Sequence, residues 1–335
     1  MIVAHVDLDA FFAAVEELDD PSLRAKPLVV GGDPQGRGVV ATANYVARRY
    51  GIHSAMSCAE ARRRCPAAVF VRPRHARYRE LSRSVWVTIR ELAPVVEQTG
   101  IDEGYLDLTD HARDFLEARA LAEAIQTAVR GTTQLSCSLG VSTSKVVAKI
   151  ASDRRKPGGI TVVPRGREAA FLAPLDVRKL PGVGPRAEAR LRAAEIHTIG
   201  ALAACTDAQL ATLLPGKVGH ELRDRARGID RRTVVAVAEP PVSISHEETF
   251  ERDVSDRARL HEELRRMSES LSRRLRDRGL YARTVTTKLR YADFSTRTRS
   301  ARPRSRSAQA WPWIRSASSI AVASVAERVR VLKSA

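Results

Sequence analysis

TGIDEGYLDL, residues 99–108, sets two carboxylates side by side, Asp102 and Glu103, ahead of a glycine and a strand-like run. Neighbouring side chains of a regular strand point to opposite faces. Either the two acids serve different sites, or the backbone bends at Glu103–Gly104 and turns them to one side. Taken alone, the ten residues also suit a polar hairpin turn with solvated acids. Their surroundings decide how this part of the chain folds. Residues 95–109 read as strand, turn and strand, between long amphipathic helical patterns at 75–94 and 112–133.

Outward from there, IVAHVDLD (2–9) is a buried strand ending in acids, and FFAAVEELD (11–19) is helical, with Phe11, Val15 and Leu18 on one face. LSCSLGVSTS (135–144) is a strand, SKVVAKIASDRRKP (144–157) a helix with a basic end, and GGITVV a last strand. The first 165 residues or so alternate strands with helices, as an α+β or α/β domain does. Residues 166–230 are helical and short-looped, with two glycine hairpins, LPGVGPRAEARL and LLPGKVGHELRDRARG. Residues 231–241, RRTVVAVAEPP, read as an extended linker. Strand SISHEETF, helix ARLHEELRRMSESLSRRLRDRG and strand ARTVTTKLRYADF then form a third, small α+β unit.

The chain has 335 residues, 44% of them hydrophobic, enough for two or three domains with real cores. Its apolar runs are too short to span a bilayer, so no membrane partner is expected. MIVAHVDLDAFF has no basic region and carries an acid by residue 7, unlike a signal peptide. Cys58, Cys65, Cys137 and Cys205 show no CxxC spacing, so reduced thiols in a cytoplasmic protein are expected rather than structural zinc. Lys and Arg number 56 against 39 acids, a net +17 that favours a polyanionic partner, nucleic acid first. From 294 to 335 nine basic residues face one acid, so +8 of that charge lies in the last 42 residues.

Asp7 and Asp9 end the first strand and share a face, although such a strand end can equally be solvated. A hard ion such as Mg²⁺ takes oxygen ligands and leaves room for substrate phosphates. Asp7, Asp102 and Glu103, with the Leu8 carbonyl, could supply them. Tyr45 and Arg48 stand three apart on one helical face, a phenol donor beside a guanidinium suited to phosphate. Lys156 sits at a helix end before a proline and two glycines. In LPGVGPRAEARL, Gly182 and Gly184 permit a tight turn, Pro185 opens a helix whose free N–H groups face an anion, and Arg186 adds charge. That is a helix-hairpin-helix pattern, which holds DNA phosphates without reading sequence; a plain helix–helix connector has the same outline.

HVDLDAFFAAVEE, VVATANYVARRYGI, GIDEGYLDL, GVSTSKVVAKIASDRRKPGGI and LPGVGPRAEARL resemble, in order and spacing, the motifs of the Y-family translesion DNA polymerases, over residues 1 to about 299. The resemblance implies an α+β multidomain, right-hand polymerase: palm at 1–10 and 74–165, fingers at 11–73, helical thumb at 166–230, linker at 231–241 and a βαββαβ-type little finger at 242–335. It implies low-fidelity, template-directed synthesis past lesions by a monomer acting on primer–template DNA and deoxynucleoside triphosphates. No stretch is left over for a proofreading exonuclease. Asp7, Leu8, Asp102 and Glu103 match the ligands of two Mg²⁺ ions, Glu103 at the primer 3′-hydroxyl. Tyr45, Arg48 and Lys156, with Thr42, match the triphosphate grip. Phe12 stands where a ring leaves no space for a 2′-hydroxyl.

Three departures are visible. Gly100 replaces the usual serine before Ile-Asp-Glu, and Ala10 is small where some relatives carry an aromatic. After about residue 300 the chain turns rich in Arg, Ser, Ala and Pro, as a shifted reading frame in a GC-rich gene would give. On that reading the little finger is incomplete and lacks its last helix and strand, and the usual C-terminal sliding-clamp peptide is not seen. A catalytically impaired DNA-binding member and a metal-dependent nuclease are the alternative readings.

Overall fold

The computed structural model describes residues 1–214, 216–237 and 240–302, and the backbone of 322–332. These fall into two compact units. The first holds residues 1–32, 40–56 and 61–237; the second is built on 240–302 and 322–332 with the segments 33–39 and 57–60. Among the described residues no helix is long and apolar enough to cross a membrane.

Eight strands belong to the first half of the chain: β1 (Val3–Leu8), β2 (Leu28–Gly31), β3 (Val40–Ala43), β4 (Val69–Val71), β5 (Val96–Gln98), β6 (Glu103–Asp107), β7 (Cys137–Ser142) and β8 (Ile160–Val162). With them run helices α1 (Phe11–Asp19), α2 (Tyr45–Arg48), α3 (Cys58–Arg64), α4 (His75–Leu92), α5 (Phe115–Thr133) and α6 (Lys145–Ser152). Five strands form one sheet in the order β5-β6-β1-β7-β8, with β1 at its centre and antiparallel to both neighbours. A smaller sheet, β3-β2-β4, accompanies α1 and α2.

The alternation along β1 decides which face becomes chemical. Ala4, Val6 and Leu8 join Trp86, Val85, Ile125 and Val129 of α4 and α5 in the main core. Each such large side chain contributes about 1.5–3 kcal/mol by leaving water. Val3 packs the other way, with Tyr105 and with Ala148 of α6; His5 and Asp7 share that face by strand periodicity. The register carries the pattern across: His5 pairs with Tyr105 and Asp7 with Glu103. Helix α6 lies close on this face because β7 carries Gly140, where a Cβ would sit 2.0 Å from the Ala148 carbonyl.

Helices α7 (Glu168–Leu172), α8 (Pro185–Ala193), α9 (Ile199–Ala204), α10 (Asp207–Leu213) and α11 (Val218–Ala226) form a second core. Val146, Val147, Ile150 and Ala151 of α6 belong to it. Helix α6 therefore has the sheet on one side and the helical region on the other. The segment expected as a linker is fastened at its start. Lys145 Nζ bonds both Glu97 carboxylate oxygens at 2.6 Å and donates to the Thr233 carbonyl. The Val235 N–H donates to Glu97 Oε2 at 2.8 Å, and Val234 is buried against the sheet face.

In the second unit, β9 (Ser243–Val254), α12 (Arg257–Arg276), β10 (Tyr281–Tyr291), β11 (Thr296–Ala301) and β12 (Val322–Leu332) give a four-stranded sheet ordered β11-β10-β12-β9. Leu260, Leu264 and Met267 of α12 pack with Phe250 and Tyr291, and Leu271 and Leu275 pack with Ile244. Strand β12 lies antiparallel between β10 and β9, so the atypical tail supplies a strand where the sequence reading placed none. The stretch where the sequence reading finds the family's last helix lacking, 303–321, lies outside the described residues.

Candidate active site

The carboxylates gather at one end of the β1–β6 pair. Asp7 and Glu103 are cross-strand partners, and the Leu8 N–H donates to the Asp102 carbonyl at 2.9 Å. The bend that turns Asp102 lies at residues 100–102, not at Glu103–Gly104: the Thr99 and Gly100 N–H groups both donate to the Glu103 carbonyl, closing the turn before β6 begins. Gly104 is instead inside the strand. A Cβ there would come within 2.7 Å of the Trp86 ring and 2.8 Å of the Glu97 carbonyl, so packing explains the glycine. At Gly100 a Cβ would meet both the Asp102 carboxylate and the Glu103 side chain at 3.3 Å. Asp107 stands apart, accepting from the Thr109 backbone.

Two of the three acids already meet a cation. Lys156 Nζ lies 2.7 Å from Asp7 Oδ1 and 2.8 Å from Asp153. Lys149 Nζ donates to Glu103 Oε2. Burial pushes the Asp7 pKa up to about 6 even though Lys156 pulls the other way. Burial also raises Asp102, with the neighbouring Glu103 charge adding to it. For Lys156, burial works against the charge, but Asp7 and Asp153 outweigh it and hold the pKa above the usual lysine value. His5, fully buried behind the acids, is pulled well below the ordinary imidazole value by burial and then by Lys149 and Lys156.

Among the described residues no three His, Cys, Asp or Glu side chains close on a point that could hold a metal ion. The ammonium groups account for this: Asp7 is engaged by Lys156 and Glu103 by Lys149. The donor set still fits a hard divalent cation, being all carboxylate oxygens on one sheet end. Costly, partly buried negative charge is what such an ion relieves.

Around the acids, Tyr45 opens α2 and its hydroxyl donates to Asp9 Oδ1 at 3.2 Å. Arg48 donates to the Ala43 carbonyl and lies 4.9 Å from the centre of the Tyr45 ring. Thr42 sits on β3, paired with Val30. Phe12 stacks on Tyr78, centroids 4.2 Å apart and planes 15° off parallel, while Phe11 is buried in the core. The Tyr78 hydroxyl is anchored on Glu16 at 2.5 Å. Asp9 stands outside the set of acids, as the sequence reading had left it. It is buried and accepts from Ser136 Oγ, Ser138 Oγ, Tyr45 Oη and the Gly158 N–H, tying α2, β7 and the turn after Lys156 together. Sequence reasoning passed over Lys149 and His5. The signal for Lys149 was KVVAK, which sets lysines 145 and 149 on one helical face. For His5 it was an imidazole two residues before Asp7 in a period-2 strand.

Gly182, Gly184 and Arg186 lie elsewhere in the first unit, at the start of α8. Gly182 has φ +104°, which favours glycine, and a side chain there would strike Arg225 and Leu222. Gly184 caps the helix, Pro185 opens it and Arg186 is exposed. The second hairpin keeps its left-handed glycine, Gly216, before α11.

Family models match residues 6–153 (impB/mucB/samB family), 178–230 (DNA polymerase-iota, thumb domain) and 241–330 (impB/mucB/samB family C-terminal domain). The DNA polymerase IV of Halorhodospira halophila is 46% identical over 301 residues, covering 90% of this chain and 84% of that protein. The chain belongs to the Y-family of translesion DNA polymerases. The DNA polymerase IV of Methanoculleus marisnigri is 44% identical to this polymerase over 89% of its chain and 83% of the relative. The solved Y-family DNA polymerase chimera Dbh-Dpo4(243-245)-Dbh superposes with a TM-score of 0.86 over 98% of both chains at 23% identity, so the fold is shared. Membership makes this polymerase a DNA-directed nucleotidyltransferase of a metal-dependent family, and it sets aside the nuclease reading. The C-terminal family model runs to residue 330, across the point near 300 where the sequence departs from the family pattern.

Proposed function

We propose that this polymerase extends a DNA primer with deoxynucleoside triphosphates by two-metal nucleotidyl transfer, with Asp7, Asp102, Glu103 and the Leu8 carbonyl as ligands of two Mg²⁺ ions. One observation carries the reading. The β1–β6 register makes Asp7 and Glu103 partners, with Asp102 in the bend beside them. When bound, the ions lower the pKa of the primer hydroxyl and neutralise phosphate charge in an in-line displacement. The chain's own groups do the rest. Lys156 exchanges its Asp7 contact for phosphate oxygens while keeping Asp153. Arg48 and Tyr45 grip the triphosphate from α2, with Thr42 on the adjoining strand. Phe12, its ring braced flat on Tyr78, excludes a 2′-hydroxyl. Asp9 holds Tyr45 and the turn after Lys156 in fixed relation, so the grip and the acids keep one geometry.

Palm (1–10, 74–165), fingers (11–73), thumb (166–230), linker (231–241) and little finger (242–335) are the divisions we assign. The Gly182–Gly184 hairpin with Arg186 holds the duplex backbone. We place the protein in the cytoplasm as a monomer. A sliding clamp stays a candidate partner, although its usual C-terminal motif is not seen in this sequence. Primer extension with Mg²⁺ is the test. Templated elongation supports the reading; binding without elongation would instead mean an impaired DNA-binding member.

A further inference from the structure

We propose that Lys149 is a positioning residue for Glu103, holding its carboxylate by one oxygen so that the other faces the reacting end of the primer. The proposal rests on the role assigned to Glu103 above. Its basis is an asymmetry. Both neighbours meet the same atom: Lys149 Nζ donates to Oε2, and His5 Nε2 lies 3.6 Å from Oε2. Among the described residues Oε1 accepts no hydrogen bond. A carboxylate fixed through one oxygen presents the other in a single orientation, whereas a free glutamate explores several rotamers.

His5 is built to stay where it is. It is fully buried, and Nε2 is one of four buried side-chain polar atoms without a hydrogen-bond partner among the described residues. The Nδ1 atom is 2.8 Å from Ser152 Oγ on α6, and the ring packs edge-on to Tyr105 at 4.7 Å between centroids. The Ser152 hydroxyl donates to the Lys149 carbonyl at 2.8 Å, so the neutral imidazole donates from Nδ1 to Ser152 Oγ and its Nε2 is a bare acceptor. An acceptor cannot bond a carboxylate oxygen, and the 3.6 Å separation agrees. His5 therefore fills the space behind Oε2 and offers it no donor, which leaves Lys149 as the group that holds the carboxylate.

Lys149 adds a fixed charge on the same oxygen. It comes from α6, which is clamped between the sheet and the helical core, so the ammonium group is delivered from a rigid element. A positioning lysine and an ordinary structural one differ in a measurable way. The ammonium repels a divalent ion on Oε1, so removing it does not weaken ion binding by Coulomb's law; removing it loosens the carboxylate and slows the reaction.

The test uses the full chain in complex with primer–template DNA. Single-turnover extension gives the rate and the nucleotide dissociation constant. Electron paramagnetic resonance of Mn²⁺ on a dideoxy-terminated complex gives ion affinity without turnover. For Lys149→Met we expect a rate about 10- to 100-fold lower, nucleotide affinity unchanged and Mn²⁺ bound at least as tightly as in wild type. Lys149→Arg restores most of the rate. A Lys149→Met rate within about twofold of wild type overturns the proposal. So does a rate loss matched by weaker Mn²⁺ binding and not rescued by arginine, which is the mark of a structural role. Glu103→Ala run in parallel separates the layers: an active Glu103→Ala removes the parent assignment, whereas an inactive one beside an unaffected Lys149→Met removes only this proposal.

Discussion

Lys145 and Lys149 stand one turn apart on α6, and each meets a glutamate of the same sheet, yet the two pairs are built to opposite ends. Glu97 is saturated: Lys145 occupies both its oxygens and the Val235 N–H adds a third bond. The Lys145 side chain is 5% exposed there. Glu103 is held through Oε2 alone, and both members of its pair are about one-third exposed. The first pair fastens residues 233–235 to the five-stranded sheet. The second leaves an oxygen available. A saturated carboxylate is a structural anchor; a half-saturated one at a solvent-facing edge is a reactive group in waiting.

Removing carboxylates should break this contrast most visibly. Asp102→Ala or Glu103→Ala should abolish extension, with a loss of at least about a thousandfold, while DNA binding by fluorescence anisotropy stays largely intact. Persisting extension in both would overturn the site. At the saturated pair, Glu97→Gln leaves the buried Lys145 ammonium without its counter-charge, and a loss of about 3 kcal/mol in urea unfolding is expected. Lys145→Met should cost less, because the stranded Glu97 is closer to water. Equal costs would show that the burial difference does not matter.

The gate and the hairpin sharpen the contrast at lower amplitude. Phe12→Ala should raise ribonucleotide incorporation about tenfold or more, measured as the ratio of kcat/KM for ribo- and deoxynucleotides. Unchanged sugar selectivity would take Phe12 out of the role. Arg186→Ala should weaken DNA binding modestly at all sequences and reduce the slope of log affinity against log salt by about one. An unchanged slope would mean that the hairpin does not touch phosphate.

Much of the first half of the chain is legible without coordinates, for a physical reason. Strand period and helix period differ, so 75–94, 112–133 and 2–9 declare themselves by where their apolar residues recur. The pairing of Tyr45 with Arg48 is legible too, being one turn of one helix. The bend beside Asp102 was misplaced because a glycine next to two acids looks like a turn residue. Gly104 is there for the Trp86 ring, which arrives from a helix eighteen residues upstream in sequence. Spacing places Asp9 on one face with Asp7 but says nothing of its partners. Ser136 and Ser138, more than 120 residues away in sequence, claim it. Strand β12, VASVAERVRVL, was passed over although four of its eleven residues are valine, because the Arg-, Ser-, Ala- and Pro-rich run before it masked that signal.

By itself, the sequence determined the alternating elements, the acids at the ends of β1 and β6, the helix that carries Tyr45 and Arg48, and the glycine hairpin. Each depends on residues close along the chain or on their periodicity. The tertiary structure alone decided which carboxylate oxygens are occupied. That outcome needs the β1–β6 register and the close approach of α6 over Gly140 at once. Lys149 and His5 meet at one oxygen only when a helix near residue 150 is laid against a strand near residue 5.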